Sequence, residues 1–278
     1  MNDGSPVLRR IQVSVLVLLG SVLLAALAGC DKLKQPTVSS LTEPHAANVS
    51  SLAHHPRLAV ILDDVGGDDS AVQEIFSLSN RITLSILPNH PRSVELAEEA
   101  HARGFEVMLH LPMESEANES PESEELRTGM SAAEVARLFG AMLGTVPHAA
   151  GVNNHQGSRA TSDQRLMEIL MPLLHERGLF FIDSRTTAAT LAYLTAERDG
   201  VPSGFRNVPF LDDVQQQGAI RQELERAIHA AREKGEAIVI GHPHPDTLHV
   251  LRQMLPQLSA SGIELVHASA LVHASGNR

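Results

Sequence analysis

The sequence predicts an α/β protein whose parallel strands curl into a barrel, and three observations carry that expectation. Short apolar segments alternate with longer segments of helical period through residues 56–278, as in strands joined by crossover helices. The apolar segments are nearly continuous, the mark of strands buried on both faces. Reactive side chains also follow one apolar segment after another: Asp63-Asp64, His110, His155, Asp183-Ser-Arg185, Asp212-Asp213 and His242. A barrel gathers the ends of all its strands around one mouth, whereas an open sheet strings them along an edge. A barrel of about seven or eight strands accounts for the pattern best.

The elements follow in order. Leu58–Leu62 is an apolar strand that stops at two carboxylates and a glycine turn, and Ser70–Leu78 reads as a helix. Ile82–Leu87 is a second strand, closed by Pro88; Arg92–Arg103 is a helix stopped by Gly104. Glu106–His110 is a third strand, ended by Pro112, and an acidic polar loop runs from Glu114 to Glu125. Ser131 caps a helix reaching Leu143, with Glu134 at the capping-box position. Ala150–Asn153 is a short strand and Asp163–Arg177 a helix ending at Gly178. Leu179–Ile182 is the next strand, followed by a helix up to Arg198. Asn207–Leu211 reads as a strand, Ala219–Lys234 as a helix closed by Gly235, and Ala237–Ile240 as an apolar strand. Thr247–Ser259 is the last helix and Glu264–His267 the last strand.

Residues 1–30 read as a targeting segment. Arg9 and Arg10 form a basic start, Ile11–Leu27 is apolar, and Leu27-Ala28-Gly29 places small residues before Cys30, the single cysteine. This resembles a bacterial lipoprotein signal, so Cys30 is expected to be lipidated and to hold the protein on the periplasmic side of the envelope. A plain signal peptide and an uncleaved membrane anchor are the other readings. Residues 31–55, rich in Ser, Thr, Pro, Ala and Asn, read as a flexible tether. One cysteine excludes an intrachain disulfide framework. The formal net charge of -11 and the lack of a basic stripe argue against nucleic acid as a partner. Aromatic residues are 3% of the chain and Trp is absent, which leaves little for a broad stacking platform. Oligomeric state has no signature in the sequence.

Several residues carry chemistry. Two adjacent carboxylates at a strand's C-terminal end, Asp63 and Asp64, can divide the work between metal and proton. Asp64, His110 and His155 form the expected metal set, because two imidazoles and a carboxylate suit a catalytic divalent cation such as Zn²⁺. His155 lies in Gly151-Val-Asn-Asn-His-Gln-Gly-Ser-Arg159, where Asn153 and Asn154 can orient ligands or meet a substrate amide or hydroxyl. Gly157 can let backbone N–H groups approach an oxyanion. Gly241-His-Pro-His-Pro-Asp246 is a proline-stiffened loop that presents His242 and His244, and His242 is the better placed of the two as a general acid. Arg185 or Arg159 can pair with Asp63 or make a structural salt bridge. Asn153, Asn154, Arg159, Asp183, Arg185 and His244 make up the expected substrate-contacting set.

The succession ILDDVG, SILPNHP, GFEVMLHLPME, GVNNHQGSR, LFFIDSRTT and AIVIGHPHPDT, in order from Ile61 to Thr247, resembles the divergent polysaccharide deacetylase family. The resemblance implies a deformed (β/α) barrel of about seven strands over residues 56–278. It also implies a metal-dependent hydrolase of N-acetyl or related acyl groups on an envelope carbohydrate, with Asp63 as general base and Asp64 as metal ligand. Ordinary polysaccharide deacetylases carry His-x-x-x-His after the third strand, where this chain has His110-Leu-Pro-Met-Glu114. Either Glu114 ligates or His155 fills the position, and His155 is preferred. The rival expectation is an inactive envelope binding protein that uses the same barrel mouth.

Overall fold

A computed structural model of the protein describes residues 55–66, 71–117, 122 and 124–274. The targeting segment with Cys30 and all but the last residue of the tether lie outside the described residues. Among the described residues, no helix is long and apolar enough to cross a membrane.

The strands are β1 (Arg57–Val65), β2 (Thr83–Ile86), β3 (Glu106–Met113), β4 (Ala149–Gln156), β5 (Phe180–Asp183), β6 (Ser203–Phe205), β7 (Glu236–Gly241) and β8 (Glu264–Val266). Every ladder between them is parallel. The order across the sheet is β6-β5-β4-β3-β2-β1-β7, with β8 paired to the first residues of β1. Parallel pairing requires crossovers, and seven helices supply them: α1 (Val72–Phe76), α2 (Ser93–Ala102), α3 (Ala132–Gly144), α4 (Gln164–Glu176), α5 (Ala192–Arg198), α6 (Gln217–Lys234) and α7 (Pro245–Met254). Local chemistry sets their ends. Ser131 and Glu134 form a capping box on α3, the Asp163 carboxylate caps α4, and Gly235 ends α6 at φ 87°.

The expected strand at Asn207–Leu211 is the one clear miss. The strand is Ser203–Phe205, three residues without an apolar run, and Pro209 interrupts the later segment. That segment still has a structural part. Asn207 and Leu211 donate backbone N–H bonds of 2.9 Å to Ile238 and Ile240 of β7. The chain leaving one edge of the ladder therefore bonds to the other edge, and the sheet curls round into a barrel whose seam carries no full strand pair.

Two apolar clusters divide the strand residues by parity. Leu58, Val60 and Leu62 of β1 pack with the helices, together with Val107, Leu109 and Leu111 of β3 and Ala237 and Val239 of β7. Ala59, Ile61, Met108, Phe180, Ile182, Ile238 and Ile240 form the barrel interior, plugged by Val266, Ala268 and Leu271. Side chains alternate across a strand, so inward positions are fixed once one is known. Two residues beyond the last apolar inward positions come Asp63, His110, Ser184 and His242, and Asn153 and His155 hold the inward positions of β4.

Candidate metal centre

Strand parity delivers Asp63, Ser85, His110, Asn153, His155, Ser184 and His242 to the mouth of the barrel. Asp64 has the wrong parity, and its backbone corrects this. It adopts a left-handed φ of 56°, and the β1–β2 register shifts between Leu62 and Val65. A non-glycine residue held there is strained, and such strain concentrates at functional sites. The distortion lets neighbouring carboxylates share one site.

Three ligand-type atoms meet there. Asp64 Oδ1 lies 3.1 Å from His110 Nε2 and 2.9 Å from His155 Nδ1, and the two nitrogens are 3.1 Å apart. Asn153 fixes what His110 can offer. An ionised carboxylate only accepts, so the Asn153 amide must turn its NH₂ to Asp63 Oδ1, at 2.8 Å. Its carbonyl oxygen then faces His110 Nδ1 at 2.9 Å and accepts a hydrogen bond from the Nδ1–H. Ser85 Oγ donates to the same oxygen. The neutral imidazole consequently turns the Nε2 lone pair into the triangle.

These residues fit a divalent cation. Four ligands at about 2.0–2.1 Å from a tetrahedral metal stand roughly 3.3 Å apart, close to the edges of this triangle. Asp64 Oδ1 is buried and has no hydrogen-bond partner of acceptable geometry. The Asn153 carbonyl behind His110 is the outer support that metal-binding imidazoles usually have. Electrostatics agree. Burial would raise the Asp64 carboxyl, but the imidazoles of His110 and His155 close beside it hold it well below the carboxylate range. Burial opposes the His110 cation, yet the charge of Asp63 and the closeness of Asp64 raise its pKa. Both shifts describe a pocket that favours positive charge.

Glu114 stands outside the triangle. Its Oε2 accepts from Thr128 N and Oγ1 at 2.8 and 2.7 Å, and its Oε1 faces Arg159 Nε at 3.6 Å. His155, with Nδ1 in the triangle, occupies the place that the sequence left open between the two.

Titratable groups lie beside the three. Asp63 is 1% exposed, and burial raises its carboxyl above the ordinary value despite the fields of His110 and His242. His242 Nε2 lies 4.0 Å from Asp64 Oδ2, and on the ring's other side Nδ1 is 2.8 Å from Asp212 Oδ1. Asp212 also accepts from His242 N and Thr247 Oγ1. Burial disfavours the His242 cation, but the Asp212 bond and the charges of Asp63, Asp212 and Asp64 raise it to about 9. Asp212, His242 and His244 also come within 4.8 Å of one another. Asp212 already spans His242 and Thr247, so its carboxylate is engaged in holding the His242 ring.

The expected substrate-contacting residues separate. Asn153 is fully buried and serves the ligands. Asn154 and Asp183 have outward parity, which removes both from the mouth. The Asn154 amide bridges Ser184 N and Gln156 O, while Asp183 accepts from Arg185 N, Thr190 Oγ1 and Tyr193 N. Neither Arg159 nor Arg185 pairs with Asp63: Arg159 faces Glu114, and Arg185 lies over the Phe205 ring at 4.4 Å. His244 Nε2 is 3.0 Å from Gln215 Nε2 at the rim. Gly157 has φ 86°, and a Cβ there would meet Met113 Cβ at 3.0 Å, so close packing explains it. In the sequence Asp212 stands only as one carboxylate of a strand-end pair, and Ser85, Ser184 and Arg206 belong to none of the expected site sets. For Ser85 and Ser184 the available signal was a polar residue at an inward position of an apolar strand.

A family model described as divergent polysaccharide deacetylase matches residues 60–272. The chain is 39% identical over 217 residues to the uncharacterized protein YibQ of Escherichia coli (strain K12), covering 78% of this chain and 67% of that protein. It is also 39% identical over 202 residues to an uncharacterized protein of Haemophilus influenzae, covering 73% of this chain and 72% of that protein. Among solved structures it is similar to uncharacterized protein ATU2773 from Agrobacterium tumefaciens C58. That match has a TM-score of 0.75 and 25% identity over 80% of this chain and 91% of the other.

Proposed function

The chain belongs to the divergent polysaccharide deacetylase family, and we propose that it is a metal-dependent hydrolase removing N-acetyl or related acyl groups from a cell-envelope carbohydrate. The observation that carries this reading is the triangle of Asp64, His110 and His155 with Asp63 and His242 close beside it. Ligands flanked by a base and an acid are what amide hydrolysis needs. A divalent cation held by these three side chains, for which two imidazoles and a carboxylate favour Zn²⁺, supplies Lewis acidity that lowers the pKa of water and polarises an acyl carbonyl.

The chain's own residues manage the protons. Asp63, fixed by Asn153 and raised by burial, takes a proton from the attacking water. His242, kept protonated by Asp212, gives its Nε2 proton to the amine nitrogen as the C–N bond breaks. Water and the acylated amine become a free carboxylic acid and an amine. Location in the envelope rests on Arg9, Arg10, the apolar run and Cys30, which also motivate lipid anchoring.

The test is metal content and acetate release with N-acetylated oligosaccharides. Wild-type protein is expected to bind about one cation and to release acetate, and Asp64→Ala to lose both. Full turnover after that change would overturn the mechanism. A tightly held cation with no release from any acylated envelope glycan would favour the binding-protein reading.

A further inference from the structure

Beside the mouth, past the ends of β5 and β6, lies a pocket of about 520 Å³ whose walls include Arg185, Thr187, Arg206, Pro209 and Asp213. In a chain with a formal net charge of -11, two guanidiniums in one pocket stand out. Arg206 is half-buried and donates to three backbone carbonyls, of Ser184, Val208 and Arg185, with its guanidinium 3.9 Å from the Phe210 ring centre. Five N–H groups and three carbonyls leave two donors over. Arg185 is exposed, and it has no ion-pair partner among the described residues.

The backbone goes to some trouble to hold Arg185 there. Its φ is 51°, a conformation unfavourable for a residue with a side chain. Asp183 Oδ1 accepts its N–H at 2.8 Å, and Arg206 Nη2 holds its carbonyl at 3.0 Å. A chain of hydrogen bonds links the pocket wall to the site. Arg206 Nε bonds to Ser184 O, and Ser184 Oγ bonds to Asn153, which holds Asp63. Asp213 is the single carboxylate on these walls, so two guanidiniums that repel one another face one acidic side chain, and an anion can join them. Paired guanidiniums are the usual forks for carboxylate and phosphate.

We infer that this pocket is an anion subsite, in which Arg185 and Arg206 hold a carboxylate or phosphate carried by the substrate next to its acylamide. The inference rests on the hydrolase reading and narrows its substrate to acidic glycans. Three probes test it by calorimetry on the full chain: an N-acetylglucosamine trisaccharide, its 6-carboxylate and its 6-phosphate. At least one acidic probe should bind about tenfold more tightly than the neutral one. Arg185→Gln should abolish that advantage and leave neutral binding unchanged, and Arg185→Lys should restore part of it. Whichever acid gains more identifies the natural group. Equal binding of all three probes, or an advantage that survives Arg185→Gln, overturns the subsite. Acetate release from the neutral trisaccharide is read alongside. An advantage that depends on Arg185 without any acetate release keeps the subsite and sinks the hydrolase, whereas release without an advantage does the reverse.

Discussion

Within the barrel, the interior and the mouth are built from the same strands and the same inward parity, yet they differ in almost every physical respect. Ile61, Met108 and Ile240 lie fully buried among apolar neighbours. Two residues further along come Asp63, His110 and His242, all charged or titratable; Asp63 and His110 share Asn153 as a partner, and His242 bonds to Asp212. Among the described residues, three of the five non-glycine residues with positive φ, Asp64, Gln156 and Arg185, also lie at strand ends around the mouth. The contrast teaches that one step of two residues separates positions that hold the fold from positions that do chemistry. Strain and buried charge are tolerated at the mouth because the layer beneath is firmly packed.

The largest expected effects would break that division if it were false. Asp63→Asn should lower turnover by about 10²–10⁴-fold through loss of the base, while leaving the melting temperature unchanged or slightly raised, because a buried charge disappears. A large fall in melting temperature would mean that the mouth is part of the stabilising core. Ile240→Ala, two residues below His242, should do the opposite. Removing a fully buried side chain costs about 2–5 kcal/mol, read as a denaturant midpoint shift, with turnover per folded molecule nearly intact. Loss of activity without loss of stability would erase the distinction.

Much of this was legible in the sequence because parity and crossover patterns are local. Apolar runs such as Ala237–Ile240 could hardly be anything but buried parallel strands, and Asp63, His110 and His242 follow such runs directly. Parity also predicts that Asn154 and Asp183 face away from the mouth, but only when the strand register is known, and β4 extends to Gln156, beyond its expected end at Asn153. Asp64 went the other way, since a left-handed turn within a strand leaves no compositional trace. Strand β6, with three residues and a glycine, was too short to declare itself. Arg206 was hidden for a related reason. Two of its three carbonyl partners, Ser184 and Arg185, are brought to it only by the fold.

A finer test separates the ligands from what orients them. Asn153 is fully buried, and its amide sets which nitrogen of His110 carries the proton. Asn153→Leu should weaken divalent-cation affinity by roughly 10–100-fold, as loss of an outer support does, and leave Asp64→Ala as the more severe change. Competition with a chelator measures this directly. Unchanged affinity would mean that His110 chooses its tautomer unaided.

The smallest and most specific effect concerns the acid. In metal-free protein the ring resonances of His242 should titrate at about 9, above the ordinary 6.5, because the Asp212 bond and the nearby carboxylates outweigh burial. A raised pKa of this kind gives stability that is complete below about 6.5, the unfolded value, and is lost as pH rises through about 9. Asp212→Asn should bring the titration down toward 6.5 and flatten the corresponding fall in melting temperature on the alkaline side. Loading with Zn²⁺ should also lower it, since a cation beside Asp64 opposes the proton. A His242 titration that ignores both Asp212 and metal would detach the acid from the rest of the mouth. The Asp212–His242 pair would then belong, with Thr247, to the supporting structure beneath.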